Sequence, residues 1–175
     1  QRGLIAERQA AGSQCEMSHR DAGALQELAA RAFGERRWAD AASLFGKTDQ
    51  GGDIVQKGAY SASLKRLGAR GGRVKMLWQH DPGQPIGIWD EVREDATGLW
   101  VKGRLLTEVE KGREAAALLA AGAIDGLSIG YRTVRAERDG KGQRLLQELE
   151  LWEVSLVTFP MLPEARVAAK GDDLD

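Results

Sequence analysis

The chain has 175 residues, 42% of them hydrophobic, with 25 basic side chains against 26 acidic ones. That is the size of one domain with an ordinary core, and the balanced charge argues against a nucleic-acid binder that works by neutralising phosphates. No apolar run approaches bilayer length and no apolar h-region lies near the N-terminus, so neither a membrane span nor a signal peptide is expected.

Residues 1–17 carry no clear period. Gln1 rather than Met stands first, as expected of a trimmed, processed or fragmentary chain. Ser18-His19-Arg20-Asp21 reads as a capping box, and Leu25, Leu28, Ala29, Ala32 and Phe33 follow at helical spacing, which predicts a helix over 19–33. Alternation from Asp40 to Phe45 predicts a short strand, 46–53 a turn-rich loop, and Ile54-Val55 a return to extended chain. A helix is expected from Gly58 to Leu67, with Tyr60, Ser63, Leu64 and Leu67 on one face.

Residues 73–80 read as a strand with Val74, Met76, Trp78 and His80 on one face, so His80 is expected to end a mostly buried row. The segment 81–85, with Pro82, Gly83 and Pro85, is expected to break it. Strands over 86–93 and 99–106 flank a turn at 94–98 and form a hairpin. A helix over 108–121 stops at Gly122; a strand over 126–137, a turn at 139–142 and a long, bent strand over 143–159 follow. The total is about seven strands and three helices, with the strands in hairpins rather than βαβ units. The fold class is therefore α+β, mainly β: a small, mostly antiparallel β-barrel with helices packed around it. The expected divisions are an N-terminal extension over 1–37, one domain over 38–167 and a tail over 168–175.

The chemistry gathers at Ala123-Ile124-Asp125-Gly126-Leu127-Ser128-Ile129-Gly130-Tyr131, a serine between two glycines where helix gives way to strand. Gly126 to Gly130 matches G-x-S-x-G, the nucleophile elbow of α/β-hydrolases. That elbow runs strand, serine, helix and its histidine follows the serine; here the order is helix, serine, strand and no histidine follows Ser128. An esterase or lipase is thereby disfavoured. A serine nucleophile needs a base to take its proton. The chain has only two histidines, His19 and His80, and His80 is the natural choice. The imidazole in turn needs a group to fix its tautomer. Glu153 leads, as an acid inside the apolar run 149–157, with Ser155 on its face; Glu148 and Glu150 compete from more exposed surroundings. On pattern alone, Glu153 pointing to solvent from a half-exposed strand remains open. Cys15 is the one cysteine, so no internal disulfide forms and a reducing, cytoplasmic setting fits. A zinc site from Cys15, His19 and His80 matches no common ligand spacing, so no metal and no cofactor are expected.

From Ser43 to Val167 the chain resembles the prohead (capsid-maturation) serine proteases of tailed bacteriophages, of the HK97 type. The matching blocks, in order, are Gly52-Asp53-Ile54-Val55-Gln56-Lys57-Gly58-Ala59-Tyr60, Leu77-Trp78-Gln79-His80, Pro85-Ile86-Gly87, Gly98-Leu99-Trp100-Val101-Lys102-Gly103, Gly126-Leu127-Ser128-Ile129-Gly130-Tyr131 and Leu151-Trp152-Glu153-Val154-Ser155-Leu156-Val157. Asp40-Ala41-Ala42-Ser43 departs from the family's Gly-Tyr-Ala-Ser-like lead-in, and residues 1–37 match nothing in it. The resemblance implies a fold like that of the herpesvirus assembly proteases, and a serine protease domain over 38–167. It implies a triad of His80, Ser128 and Glu153. It further implies endoproteolysis of scaffold protein, or of a scaffold-like segment of the capsid protein, and of the protease itself, inside the immature procapsid in the bacterial host cytoplasm. The expected partners are capsid or scaffold protein, with a homodimer left open and neither nucleic acid nor membrane expected. Ile129 N–H, Gly130 and Arg166 are candidates for receiving the oxyanion. The alternative is a silent assembly factor that binds capsid or scaffold protein without cutting it.

Overall fold

A computed structural model describes residues 37–167. The helix expected over 19–33, together with Cys15, His19 and the tail over 168–175, lies outside the described residues. The elements are β1 (Arg37–Leu44), β2 (Asp53–Val55), α1 (Ser61–Ala69), β3 (Lys75–Trp78), β4 (Asp81–Glu94), β5 (Gly98–Leu105), α2 (Glu110–Ala120), β6 (Gly126–Arg138) and β7 (Arg144–Val157).

All seven strands form one sheet in the order β1-β5-β4-β3-β7-β2, with β6 paired to β7. β6 runs antiparallel along one whole edge of β7, while the other edge takes β2 and then β3, both parallel to it. The remaining pairings are antiparallel. β7 is thus the strand through which the two halves of the molecule meet. The sheet curls so that β1 approaches β6, but among the described residues no ladder joins them. The architecture is therefore a curled, mostly antiparallel half-barrel with two helices among the described residues, rather than the closed barrel expected.

Side-chain pattern explains the individual elements. In β5, Leu99, Val101, Gly103 and Leu105 are buried and alternate with half-buried Trp100, Lys102 and Arg104, the two-residue period of a strand with one face in the core. Gly103 leaves room for the Trp89 ring of β4. The Trp89 Nε1–H donates to Val154 O at 3.1 Å, which locks β4 against β7 one residue from Glu153. In α2, Gly112, Ala115, Ala116 and Leu119 are buried at helical spacing. A glycine inside a helix costs about 1 kcal/mol relative to alanine; a Cβ at Gly112 would strike the Leu106 carbonyl, so the close seat of α2 on β4–β5 requires it. Gly103, Gly112 and Met76 together let the layers approach to side-chain contact.

Two expectations around His80 change. β3 ends at Trp78, and β4 begins already at Asp81, so the prolines lie within a strand rather than in a break. Gln79 and His80 form the tight reversal between them, with φ of 52° and 61°. His80 is not the last member of a buried row; it stands exposed at a corner.

Candidate active site

The site begins with a phase change in β7. Leu149 and Leu151 lie in the core, and so do Val154 and Leu156. A strand of period two cannot bury both sets on one face without an extra residue. The extra residue is Trp152: Gly130 pairs with Glu153 and Tyr131 with Leu151, leaving Trp152 as a bulge, 55% exposed. Such bulges re-aim side chains and cluster near functional sites. Beyond it, alternation places Glu153 and Ser155 on the face away from the core. The backbone N–H of Leu151, beside the bulge, donates to the Ser63 hydroxyl of α1 at 2.9 Å.

On the neighbouring strand Ser128 stands directly opposite Ser155, and Gly130 opposite Glu153. On the other side of β7, Leu77 of β3 pairs with Ser155. Ser128, Gly130, Glu153 and Ser155 therefore share one face across two strands, and the Gln79–His80 reversal closes over it. A Cβ at Gly130 would fall within the Glu153 side chain, so this glycine gives Glu153 its place. A Cβ at Gly126 would meet the Val157 carbonyl and the Pro160 ring. The clearance of both glycines is filled by the chain itself.

Consecutive left-handed residues without glycine are uncommon and need holding in place. Gln79 N–H donates to Leu156 O at 3.0 Å. Its side chain pairs with Thr158: Nε2 donates to Oγ1 at 2.7 Å, and Thr158 N–H donates to Oε1 at 3.2 Å. His80 N–H donates to Ser155 Oγ at 3.2 Å. The reversal is thus pinned to the end of β7 at four points.

His80 Nδ1 lies 2.5 Å from Glu153 Oε1, and Ser155 Oγ donates to Glu153 Oε2 at 2.5 Å. Glu153 is 8% exposed. A carboxylate facing Nδ1 takes the Nδ1 proton as its hydrogen bond, and in the neutral imidazole this leaves the lone pair on Nε2. The hydrogen bond to Glu153 raises the His80 pKa above its ordinary value; burial opposes the rise, and the Glu153 charge adds to it. The open reading of Glu153 as a solvent-facing side chain does not describe this arrangement. Glu148 and Glu150 pair instead with Arg66 and Arg132.

Ser128 is 4% exposed and lines a small pocket with Ala42, Leu44, Lys47, Val55 and Met161. Among the described residues its hydroxyl makes no hydrogen bond to His80. Arg166 is brought beside the start of β6 by a bridge to Gly126, but its guanidinium is occupied by Asp125 and the Pro163 carbonyl. Ile129 and Gly130 follow Ser128 directly on β6. The sequence places Ser155 on the face of Glu153 but gives it no role; the apolar phase switch from Leu151 to Val154 is the signal that marks where that face leaves the core. Among the described residues no cluster of His, Cys, Asp and Glu could hold a metal ion, and no helix is long and apolar enough to cross a membrane.

The prohead protease of Enterobacteria phage HK97 is 31% identical over 133 residues, which are 73% of this chain and 57% of that protein. The chain thus spans little more than half the length of that relative. The solved capsid assembly protease of bacteriophage T4 superposes with a TM-score of 0.54 at 17% identity, over 71% of this chain and 82% of that one. The KSHV protease, solved with a hexapeptide phosphonate inhibitor, gives 0.51 at 12% identity, over 78% and 65%. The curled sheet and its helices are therefore a fold shared with herpesvirus proteases. The sequence of the caudovirus prohead serine proteases matches residues 35–175, which takes in every strand and the whole Ser128, His80 and Glu153 region, and the chain belongs to that family.

Proposed function

We propose that this chain is a serine endopeptidase of capsid maturation, with Ser128 as nucleophile, His80 as general base and Glu153 as the acid that orients it. The observation that carries the reading is the contact of His80 Nδ1 with Glu153 Oε1 at 2.5 Å, on the face where Ser128 stands opposite Ser155. Family membership supports the serine type.

In the proposed reaction, Ser128 Oγ attacks the scissile carbonyl while His80 Nε2 takes its proton. The imidazolium that forms is stabilised by the Glu153 carboxylate. Backbone N–H groups of Ile129 and Gly130 are the first candidates for the developing oxyanion; Arg166, already engaged by Asp125 and Pro163, ranks behind them. The leaving amine takes the proton from Nε2, and water then repeats the sequence to release the acyl group. Contacts between nucleophile and base are often long without substrate and tighten when it binds, which fits the unbonded Ser128 hydroxyl. The proposed substrate is scaffold protein or the scaffold-like segment of a capsid protein, together with the chain itself, cut inside the immature procapsid.

The test is co-expression with the cognate capsid and scaffold proteins. Ser128→Ala is expected to reduce cleavage by about 10³-fold or more while leaving the circular dichroism spectrum unchanged. Cleavage at the wild-type rate would refute the proposal. Binding without cleavage by the wild-type chain would favour the assembly-factor reading.

A further inference from the structure

We infer that Ser155 is a positioning residue: its one buried hydroxyl sets both the backbone of His80 and the carboxylate of Glu153. The inference rests on reading His80 and Glu153 as base and orienting acid.

Ser155 is fully buried, on β7, in register with Ser128 on one side and Leu77 on the other. A serine hydroxyl has one proton to give and two lone pairs. A backbone N–H can only donate, so the His80 N–H must use a lone pair of Oγ. An ionised carboxylate can only accept, so the hydroxyl proton must go to Glu153 Oε2. The hydroxyl has no orientation left to choose. Through it, the left-handed His80 backbone and the second oxygen of Glu153 are tied to one atom.

The consequence is mechanical. With Oε2 held by Ser155 and Oε1 facing His80 Nδ1, the carboxylate cannot rotate about its last torsion. The imidazole is fixed at both ends, by its backbone and by its ring nitrogen. The carboxylate fills the space that a Cβ at Gly130 would take, so no side chain at that position of β6 sets its angle. Removing the hydroxyl leaves Glu153 Oε2 without its donor and the His80 N–H without its acceptor. Small misplacements of a catalytic group cost on the order of 100-fold in rate.

The experiment uses the whole chain and two readouts. On a peptide spanning a bond the wild-type chain cleaves, Ser155→Ala is expected to lower kcat by about 10- to 100-fold with KM within about threefold. Ser155→Thr, which keeps the hydroxyl, should restore most of the loss. The second readout is the deshielded Nδ1 proton resonance of His80, which reports the contact with Glu153 whether or not any bond is cut. It should be present in the wild type and in Ser128→Ala, and lost or broadened when Ser155→Ala is added to either. Should Ser155→Ala fail to fold, Ser155→Cys fills the space with a slightly larger atom and offers only a weak S–H donor, and the same two losses are expected. A kcat within about threefold of wild type, or an unchanged Nδ1 resonance, overturns the inference. Failure of the protease reading shows separately, as full cleavage by Ser128→Ala with the Nδ1 signal still dependent on Ser155.

Discussion

Glu153 and Asp53 are equally withdrawn carboxylates, with side chains 10% and 12% exposed, and each has both oxygens hydrogen-bonded. Their partners differ. Asp53 is held by the Arg144 guanidinium, which donates from Nε at 2.7 Å and from a terminal nitrogen at 2.5 Å, and by Tyr131 Oη–H at 3.1 Å. Arginine keeps its charge at every accessible pH and its fork fits a carboxylate. That arrangement has one state, and it ties the three-residue strand β2 to β6 and β7. Glu153 instead meets an imidazole, whose charge can change, and a neutral hydroxyl. It is poised to meet a charge that appears and disappears. The two acids are alike in burial and differ in whether the partner can change its charge.

The sharpest way to break the comparison is to neutralise each acid in turn. Glu153→Gln keeps the shape and can still bond His80 and Ser155, but it cannot stabilise an imidazolium. Peptide cleavage is expected to fall by about 10²- to 10⁴-fold, with the thermal midpoint little changed. Asp53→Asn should do the reverse. It weakens charge-assisted hydrogen bonds worth about 1–3 kcal/mol and lowers the midpoint, while kcat stays close to wild type. Steady-state kinetics and thermal melts on the two variants decide the matter. If Asp53→Asn loses the greater activity, the assignment of roles is inverted.

Gly130→Ala probes the same site with a smaller expected effect. The new methyl must displace a carboxylate that His80 and Ser155 hold from two sides. Overpacking of this kind costs about 1–3 kcal/mol, and kcat is expected to fall by about 10- to 100-fold. Gly140 has open space around it and an ordinary φ, so Gly140→Ala is the control and should leave both quantities near wild type. Equal effects at the two positions would mean that the room at Gly130 is not what seats Glu153.

The two carboxylates also differ in how far the sequence exposes them. Glu153 was legible because an acid inside 149–157 breaks an apolar run, and a lone charge there demands a partner. Asp53 and Arg144 are 91 residues apart, each at the polar start of a strand, and only the parallel pairing of β2 with β7 brings them together. Strand β5 carries its period in plain alternation, and β5, β6 and β7 fall close to their expected bounds. His80 was found as a residue but not as a conformation. Gln79-His80 holds no glycine, asparagine or proline to announce a reversal, and its φ values are imposed by Leu156, Ser155 and Thr158 from β7 and just beyond it. Closure of the sheet was over-read for a related reason. Whether β1 reaches β6 depends on accumulated curl over the whole sheet, and no local pattern encodes it.

The smallest and most diagnostic difference is the pH dependence of stability. The Arg144 hydrogen bond holds Asp53 below its ordinary pKa of 3.8, against a smaller upward push from burial. A lowered folded-state value favours the ionised form, so its contribution is complete above 3.8 and is lost as pH falls through the folded value. The His80 pKa is raised above 6.5, chiefly by the Glu153 hydrogen bond. Its contribution is complete below 6.5 and is lost as pH rises through the folded value. The thermal midpoint gap between wild type and Asp53→Asn should therefore be constant at neutral pH and shrink in acid. The gap for His80→Gln should be widest in mild acid and shrink towards alkaline pH. On the proposed mechanism, activity should follow the opposite limb to His80 stability, because His80 must be neutral to accept the Ser128 proton. kcat/KM should climb with pH through a midpoint above 6.5, and Glu153→Gln should move that midpoint down towards the ordinary histidine value. A midpoint that Glu153→Gln leaves in place would detach Glu153 from His80, and would make the two carboxylates alike after all.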